Sequence, residues 1–170
     1  ALIFAGSLLI HELGHAFAAS KFGSQPTIVL QAFGGYCSYP HPLDDKKRFF
    51  IALAGPLFTA FLIALSYYVF KSHLFTNYWP NFFCYILMKL NTYWLLVNLA
   101  PLQPLDGGQM ASYLFRKYAG PRGEWLSLHL GNLTALAGMA YFFLQGSYIF
   151  ALLFATYGLK NFQASRAYRL

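Results

Sequence analysis

The sequence predicts an all-α polytopic membrane protein, with four to five transmembrane helices and a short strand-like or re-entrant segment after the first helix. Hydrophobic residues make up 58% of the chain and charged residues only 10%, whereas an average soluble domain carries about 25% charged residues. The mean hydropathy is +0.45. Charge-poor stretches long enough to cross a bilayer recur along the chain. We therefore expect residues 1–170 to form a single membrane-embedded domain.

The first two candidate spans lie in the N-terminal half of the chain. Ala1–Ser20 is apolar apart from one cluster of ionisable residues. Because the sequence begins inside this apolar run, we expect the 170-residue chain to be the core of a longer protein. Phe49–Phe70 carries no charge. At 1.5 Å per residue it is about 33 Å long, which spans the roughly 30 Å hydrocarbon core. Small residues recur in it every four positions and predict a face for close helix contact, namely Ala52, Pro56, Ala60 and Ala64.

Three further spans are expected in the rest of the chain. Phe82–Ala100 is long enough, but Lys89, Asn91 and Asn98 interrupt it, so one side should face protein or a water-filled cavity. Leu128–Leu144 and Ser147–Leu159 follow, separated by two residues. The last stretch is short, so this pair is expected to be a tilted hairpin or partly interfacial.

The basic residues are distributed unevenly between the two ends of these spans. Ten of the twelve follow the first, third or fifth span, which the positive-inside rule assigns to the cytoplasmic side. The ten are Lys21, Lys46, Lys47, Arg48, Arg116, Lys117, Arg122, Lys160, Arg166 and Arg169. The net charge of +7 is thus explained by contact with anionic lipid and requires no nucleic-acid partner. Cys37 and Cys84 form neither a disulfide framework nor a C-x-x-C metal site.

An ionisable motif, His11-Glu12-Leu13-Gly14-His15, lies inside the first apolar stretch. Two histidines four residues apart lie on one face of a helix and can reach one metal ion, for which zinc is the natural choice. In such motifs the glutamate stays off the metal and takes a proton from water. The alternative is that both histidines only pack between helices. An ionisable group at mid-bilayer depth costs about 2.5 to 3.5 kcal/mol, which favours the metal site.

A third ligand is needed to complete such a site, and Asp106 is the strongest candidate. It ends a segment in which two prolines stop the third span and two glycines allow close backbone approach. Two imidazoles, one carboxylate and a water complete a catalytic zinc site. The alternative is that Asp106 only caps a helix beginning near Gly107. Glu124 is a weaker candidate, because it lies in a Gly-Pro-Arg-Gly loop beside Trp125, as an interfacial residue would.

The two motifs together resemble the site-2 protease family of intramembrane zinc metalloproteases. The resemblance is carried by His11 to His15 and by Asn98-x-x-Pro101-x-x-Pro104-Leu105-Asp106-Gly107-Gly108. Phe33-Gly34-Gly35 is similar to the strand-like segment of that family, and Ala54-Gly55-Pro56 to the start of its next span. The match covers residues 1–117, a minimal catalytic core, and residues 118–170 form a further helical hairpin.

The resemblance implies one zinc ion per chain, bound by His11, His15 and Asp106, with Glu12 as the general base. It implies cleavage of a peptide bond in or beside a transmembrane helix of a membrane-protein substrate. Asn98 would position the substrate or stabilise the oxyanion. The expected location is a bacterial plasma membrane, with the site towards the cytoplasm. Asn91 is a weaker match to the family, and we interpret it as a contact between helices.

Cleavage requires an unwound substrate, which an exposed strand edge could hold by β-augmentation. Thr27–Ser38 is the candidate edge, because it begins with β-branched residues and contains Gly34 and Gly35, which suit a bulge or close backbone approach. An ordinary loop or a re-entrant hairpin is the alternative.

For the chain as a whole, the competing hypothesis is a non-catalytic zinc-binding scaffold or regulator. Glu12 distinguishes the two, since a structural site has no use for it.

Overall fold

The structure, a computed structural model, describes residues 2–31, 34–39, 44–72, 74 and 77–167. These residues form helices, two strands and a short 3-10 turn at Gly120–Arg122. In chain order the elements are α1 (Leu2–Lys21), β1 (Thr27–Gln31), β2 (Gly34–Ser38), α2 (Asp45–Lys71), α3 (Tyr78–Asn98), α4 (Asp106–Ala119), α5 (Gly123–Leu144) and α6 (Tyr148–Ala167). The mostly helical class is therefore confirmed.

The strand-like segment after the first helix is confirmed as a two-stranded antiparallel sheet. Thr27 pairs with Ser38 and Gln31 pairs with Gly34. The alternative of an ordinary loop is therefore wrong for this segment, whereas a re-entrant position of this hairpin stays a prediction. Its β-branched residues favour the extended backbone of β1, and its glycines allow β2 to approach α1 closely. Phe33 lies outside the described residues.

Hydropathy and helix length identify two membrane-span candidates in the described part of the chain. These are Asp45–Lys71 and the helical stretch Asp106–Leu144. α1 and α3 carry several polar residues, such as His11 and Asn91, which lower their mean hydropathy. The predicted number of four to five spans therefore stays a prediction.

The last helix is longer than the sequence indicated. α6 has 20 residues, whereas the predicted span ended at Leu159, before two polar residues. The helix continues because Asn161 is buried and its amide donates to the Leu128 carbonyl at 2.7 Å and to Asn132 Oδ1 at 2.8 Å. A polar side chain that finds partners inside the protein does not need to end a helix.

The chain divides into two compact units, Ala1–Asn98 and Leu99–Leu170. In the first unit α1 packs against α2, α2 packs against α3, and the sheet packs against α1. Gly14 makes the α1–α2 contact close, because a Cβ there would lie 2.6 Å from the Ala54 carbonyl oxygen. Near the sheet, Ala19 and Ile51 form a small buried cluster. In the second unit α5 packs against both α4 and α6. The single-domain prediction for residues 1–170 stays a prediction.

The small-residue face predicted for α2 is correct only at its start. Ala52 and Pro56 are buried, but Ala60 is only half-buried and Ala64 is exposed. Each residue turns an α-helix by about 100°, so the four-residue line that starts at Ile51 lies on a different strip of the helix surface from the one that starts at Ala52. The buried line passes instead through Gly55 and Thr59.

Candidate metal centre

His11 and His15 lie one turn apart on α1, and both are buried. Their Nε2 atoms are 3.1 Å apart. Two zinc–nitrogen bonds of 2.0–2.1 Å at a tetrahedral angle would place two nitrogens about 3.3 Å apart. The two imidazoles are thus already spaced as ligands of one ion would be.

The hydrogen bonds of the Nδ1 atoms determine which ring nitrogens are available. His15 Nδ1 donates to the Ile51 carbonyl oxygen at 2.7 Å. His11 Nδ1 lies 2.9 Å from Thr59 Oγ1. The Thr59 hydroxyl itself donates to the Gly55 carbonyl oxygen at 3.2 Å, so it accepts from His11. Each neutral ring therefore carries its proton on Nδ1 and presents a lone pair at Nε2.

Two lone pairs facing each other at 3.1 Å repel unless a cation lies between them. A proton on one ring or a shared metal ion would remove this repulsion. A metal ion would bind both Nε2 atoms without any change of tautomer. The donor set and its orientation therefore fit a zinc ion. His11, Glu12 and His15 form a possible metal-binding group, with one ligand atom from each within 4.8 Å of the others.

Gly55 of α2 leaves the space at which the two Nε2 atoms converge. A Cβ on this residue would lie 2.9 Å from His11 Nε2 and closer still to the His15 ring. Gly55 and Thr59 are the residues that the sequence analysis missed as parts of the site. Their spacing of four residues matches the four-residue spacing of the histidines and could have indicated both, and Gly55 also lies in the Ala54-Gly55-Pro56 segment that resembles the family.

Glu12 is buried and lies against strand β2. A Cβ on Gly35 would be 2.9 Å from Glu12 Cγ and 3.1 Å from its Oε1 atom. The glycine therefore permits the strand backbone to approach this side chain.

Burial, with a smaller contribution from the Glu12 charge, raises the pKa of the Cys37 thiol to about 11. Gly34 begins β2 and pairs with Gln31.

Helix α3 presents polar side chains to the interior of the first unit. Asn91 Nδ2 donates to Ser7 Oγ and to the Leu87 carbonyl, both at 2.8 Å, which agrees with its interpretation as a contact between helices. Trp94 lies edge-on to His11, with ring centroids 6.5 Å apart. Asn98, on the same face as these two, is buried, and its Nδ2 atom makes no hydrogen bond to any residue that the structure describes.

Asp106 is the first residue of α4 and is buried. Leu105 occupies the N-cap position with an extended backbone, so α4 begins one residue earlier than the capping alternative expected, and that alternative stays open. Gly107 and Gly108 bring α4 against the preceding loop, since a Cβ on Gly108 would lie 2.5 Å from Gln103 N. Asp106 belongs to the second unit, and its role as third ligand stays a prediction.

Glu124 is placed differently from the sequence-based interpretation. The short turn at Gly120–Arg122 lets α5 begin at Gly123, so Glu124 lies in the first turn of a helix and not in a loop. Its carboxylate forms an ion pair with Arg116 and accepts a hydrogen bond from Gln103 at 3.4 Å. These contacts lie within the second unit and give the carboxylate a structural role.

Comparisons with known proteins agree with the motifs. The model for peptidase family M50 matches residues 1–78. A zinc metalloprotease of Methanocaldococcus jannaschii is 29% identical over 160 residues, which cover 91% of this chain and 46% of that protein. Stage IV sporulation protein FB of Bacillus subtilis is 35% identical over 121 residues, which cover 65% of this chain and 38% of that protein. The chain thus spans less than half the length of these two relatives.

The fold is also shared with a solved structure. The site-2 protease from Methanocaldococcus jannaschii superposes with a TM-score of 0.66 at 22% identity, covering 99% of this chain and 78% of that one. At this identity the likeness shows the fold. The match to the peptidase family M50 model over residues 1–78, the zinc metalloprotease relatives and this shared fold together support membership of the site-2 protease family.

Proposed function

We propose that this chain is the catalytic core of an intramembrane zinc metalloprotease, which hydrolyses peptide bonds in or near the transmembrane segments of membrane-protein substrates. One observation carries the proposal. Two Nε2 lone pairs converge at 3.1 Å, and a buried carboxylate lies on the same helix beside them. A structural zinc site would need more protein ligands and no base.

His11 and His15 would hold one zinc ion per chain, with Asp106 as the third protein ligand. A bound zinc ion supplies Lewis acidity, which lowers the pKa of water to about 7 and polarises a substrate carbonyl. Glu12 takes one proton from the attacking water at its carboxylate. The water oxygen bonds to the carbonyl carbon, the carbon–nitrogen bond breaks, and Glu12 returns the proton to the leaving nitrogen.

The substrate would bind as an extended strand at the edge of β2 that β1 does not occupy. Gly35 supports this placement, because a Cβ on it would lie 3.1 Å from Oε1 of the general base, so only a glycine leaves room for Glu12 beside β2. A peptide paired with β2 would therefore pass close to Glu12. Gly34 would add a backbone pairing position, and the Asn98 amide would donate to a substrate carbonyl or to the oxyanion.

We further propose that α1, α3 and α6 also cross the membrane, which gives five spans, within the four to five predicted, with the active site towards the cytoplasm of a bacterium. Their polar residues have partners inside the protein, as the His11–Thr59 and Asn91–Ser7 hydrogen bonds illustrate. Such pairing lowers the cost of burying polar groups in a bilayer. The basic residues at the cytoplasmic ends would contact anionic headgroups.

The test combines metal content with cleavage. Zinc per chain is measured in detergent-purified protein for the wild type, His11→Ala, Asp106→Ala and Glu12→Gln. Cleavage is then followed in liposomes with a library of fluorogenic transmembrane peptides. We expect about one zinc in the wild type, weaker binding in the two ligand variants, and a Glu12→Gln protein that keeps its zinc but cleaves nothing. Full activity in Glu12→Gln would refute the mechanism. A folded wild type that binds zinc but cleaves no peptide would favour the zinc-binding scaffold hypothesis, and one without zinc would refute the proposed site.

A further inference from the structure

A short irregular segment, Pro101–Leu105, connects α3 to α4 and leads directly into Asp106. Leu102 in this segment is fully buried. Its N–H donates to the Ala100 carbonyl at 2.7 Å, and the N–H of Leu105 donates to the Leu102 carbonyl at 2.9 Å. The backbone of the segment is therefore folded on itself, but these bonds alone do not attach it to the helices of the second unit.

Gln109 of α4 attaches the segment through a hydrogen bond from Nε2 to the Pro104 carbonyl at 3.3 Å, and the side chain of Gln103 adds an attachment to both α4 and α5. Its Nε2 atom donates to Ser112 Oγ of α4 at 2.7 Å and to Glu124 Oε1 of α5 at 3.4 Å. The two protons of one amide thus reach two helices. Ser112 Oγ in turn lies 2.9 Å from Ser127 Oγ of α5, and both serines are buried.

The same chain of contacts ends in an ion pair at its outer side. Arg116 contacts Glu124, with the arginine side chain 35% exposed and the glutamate side chain 16% exposed. The cation holds the Glu124 carboxylate where it can accept from Gln103. A buried network whose members are satisfied in this way makes its elements rigid.

We infer that the polar brace Gln103, Ser112, Ser127, Glu124 and Arg116 fixes the direction of the Asp106 carboxylate, with Gln103 as the positioning residue for a metal ligand. The inference rests on the proposed function, because it assumes that Asp106 binds zinc. It is argued from the covalent connection, since only Pro104 and Leu105 separate Asp106 from Gln103, whose side chain is bound to α4 and α5. A metal ligand must be held to within about 0.5 Å, and loss of an outer partner of a ligand typically weakens metal binding 10–100-fold.

The test uses Gln103→Leu, which keeps the approximate size of the side chain and removes both donors. Gln145→Leu is the matched control, because Gln145 is exposed and lies in the turn after α5. Zinc affinity is measured by chelator competition on the detergent-purified chain, and the visible absorption of the Co²⁺-loaded protein reports ligand geometry. We expect about 10–100-fold weaker zinc binding and an altered Co²⁺ band for Gln103→Leu, with Gln145→Leu equal to the wild type.

Asp106→Ala, measured in parallel, separates the inference from the proposed function. If Asp106→Ala weakens zinc binding but Gln103→Leu matches the wild type in affinity and spectrum, the brace is refuted and the proposed function stands. If the wild type binds no zinc, or Asp106→Ala binds it normally, the proposed zinc site fails and the inference fails with it. Should Gln103→Leu not fold, Gln103→Asn keeps the polarity but shortens the reach, and an intermediate loss of affinity is expected.

Discussion

Thr59→Val is the most informative single change in the first unit. Valine has nearly the shape of threonine, and position 59 is fully buried, so packing is preserved. The change removes the acceptor for His11 Nδ1–H at 2.9 Å and the hydrogen bond to the Gly55 carbonyl at 3.2 Å. Thr59 then no longer favours the His11 tautomer that carries its proton on Nδ1.

The expected response of His11 is a change of tautomer. A proton on Nε2 can be donated to His15 Nε2, which lies 3.1 Å away. The metal-free protein therefore regains one hydrogen bond, and its free energy of unfolding should fall by only about 1 kcal/mol, less than the 1–3 kcal/mol for an unsatisfied buried donor. Zinc binding is weakened more, because the His11 Nε2 atom that would bind the ion then carries a proton. We expect zinc affinity to fall about 10–100-fold, or about 1.4–2.7 kcal/mol.

The assay is chelator competition for zinc, with chemical unfolding of the metal-free protein in detergent as the second measurement. Thr92→Val is the control, because the exposed Thr92 hydroxyl makes the same type of bond, to the Met88 carbonyl at 2.8 Å, far from any ligand in sequence. Thr59→Ser keeps the hydroxyl and should restore zinc binding. If Thr59→Val bound zinc as tightly as Thr92→Val, the argument from tautomers would be wrong.

Three other substitutions and one labelling experiment have defined outcomes. Gly55→Ala fills the space between the histidines, so chelator competition should show zinc affinity at least about 100-fold lower, whereas Gly6→Ala, with open space around it, should bind normally; equal affinities would contradict the placement of the ion. Gly35→Val should displace the neighbouring carboxylate, so zinc content is retained while peptide cleavage falls at least about 10-fold, and undiminished cleavage would count against the role of β2. Cys37 has a pKa of about 11 in place of 9.0. Because only the thiolate reacts with maleimide, Cys37 should be labelled about 100-fold more slowly than an ordinary thiol at pH 7 to 8, and its rate should rise with pH up to about 11. Rapid labelling at pH 7 would disprove this. Asn161→Leu leaves the Leu128 carbonyl and Asn132 without their donor and should lower the free energy of unfolding by about 1–3 kcal/mol, with no change in zinc affinity; unchanged stability would show that these bonds contribute nothing.

Local patterns explain why part of the site was predictable. Histidines four residues apart share a helix face whatever surrounds the helix, so His11 and His15 could be paired from the sequence. Likewise, an uncharged run as long as Phe49–Phe70 predicts a helix from its own composition, and β-branched residues followed by glycines predicted the strands of the small sheet. Each of these inferences depends on neighbours within a few positions.

Glu124 and the end of α6 show the opposite case. Glu124 was interpreted as a loop residue because Gly120 and Pro121 precede it, but these residues form only a short 3-10 turn. The last predicted span ended at Leu159, but α6 continues past it to Ala167, and Asn161 is buried and bonded to α5. In both cases a partner on another helix, which the sequence does not reveal, decides whether a polar residue faces the surface or the interior.

The sequence by itself thus determined the composition of a membrane protein, the order of its helices and strands, the pairing of His11 with His15, and the motifs that identify its family. Only the tertiary structure decided which residues of α2 complete the site, because the rotation of α2 about its axis brings Gly55 and Thr59, and not the alanine stripe, towards the histidines. It also decided the tautomers of both rings, since these depend on acceptors at Ile51 and Thr59. Short-range sequence spacing pairs the two histidines, whereas the orientation of their rings depends on contacts between elements distant in the chain.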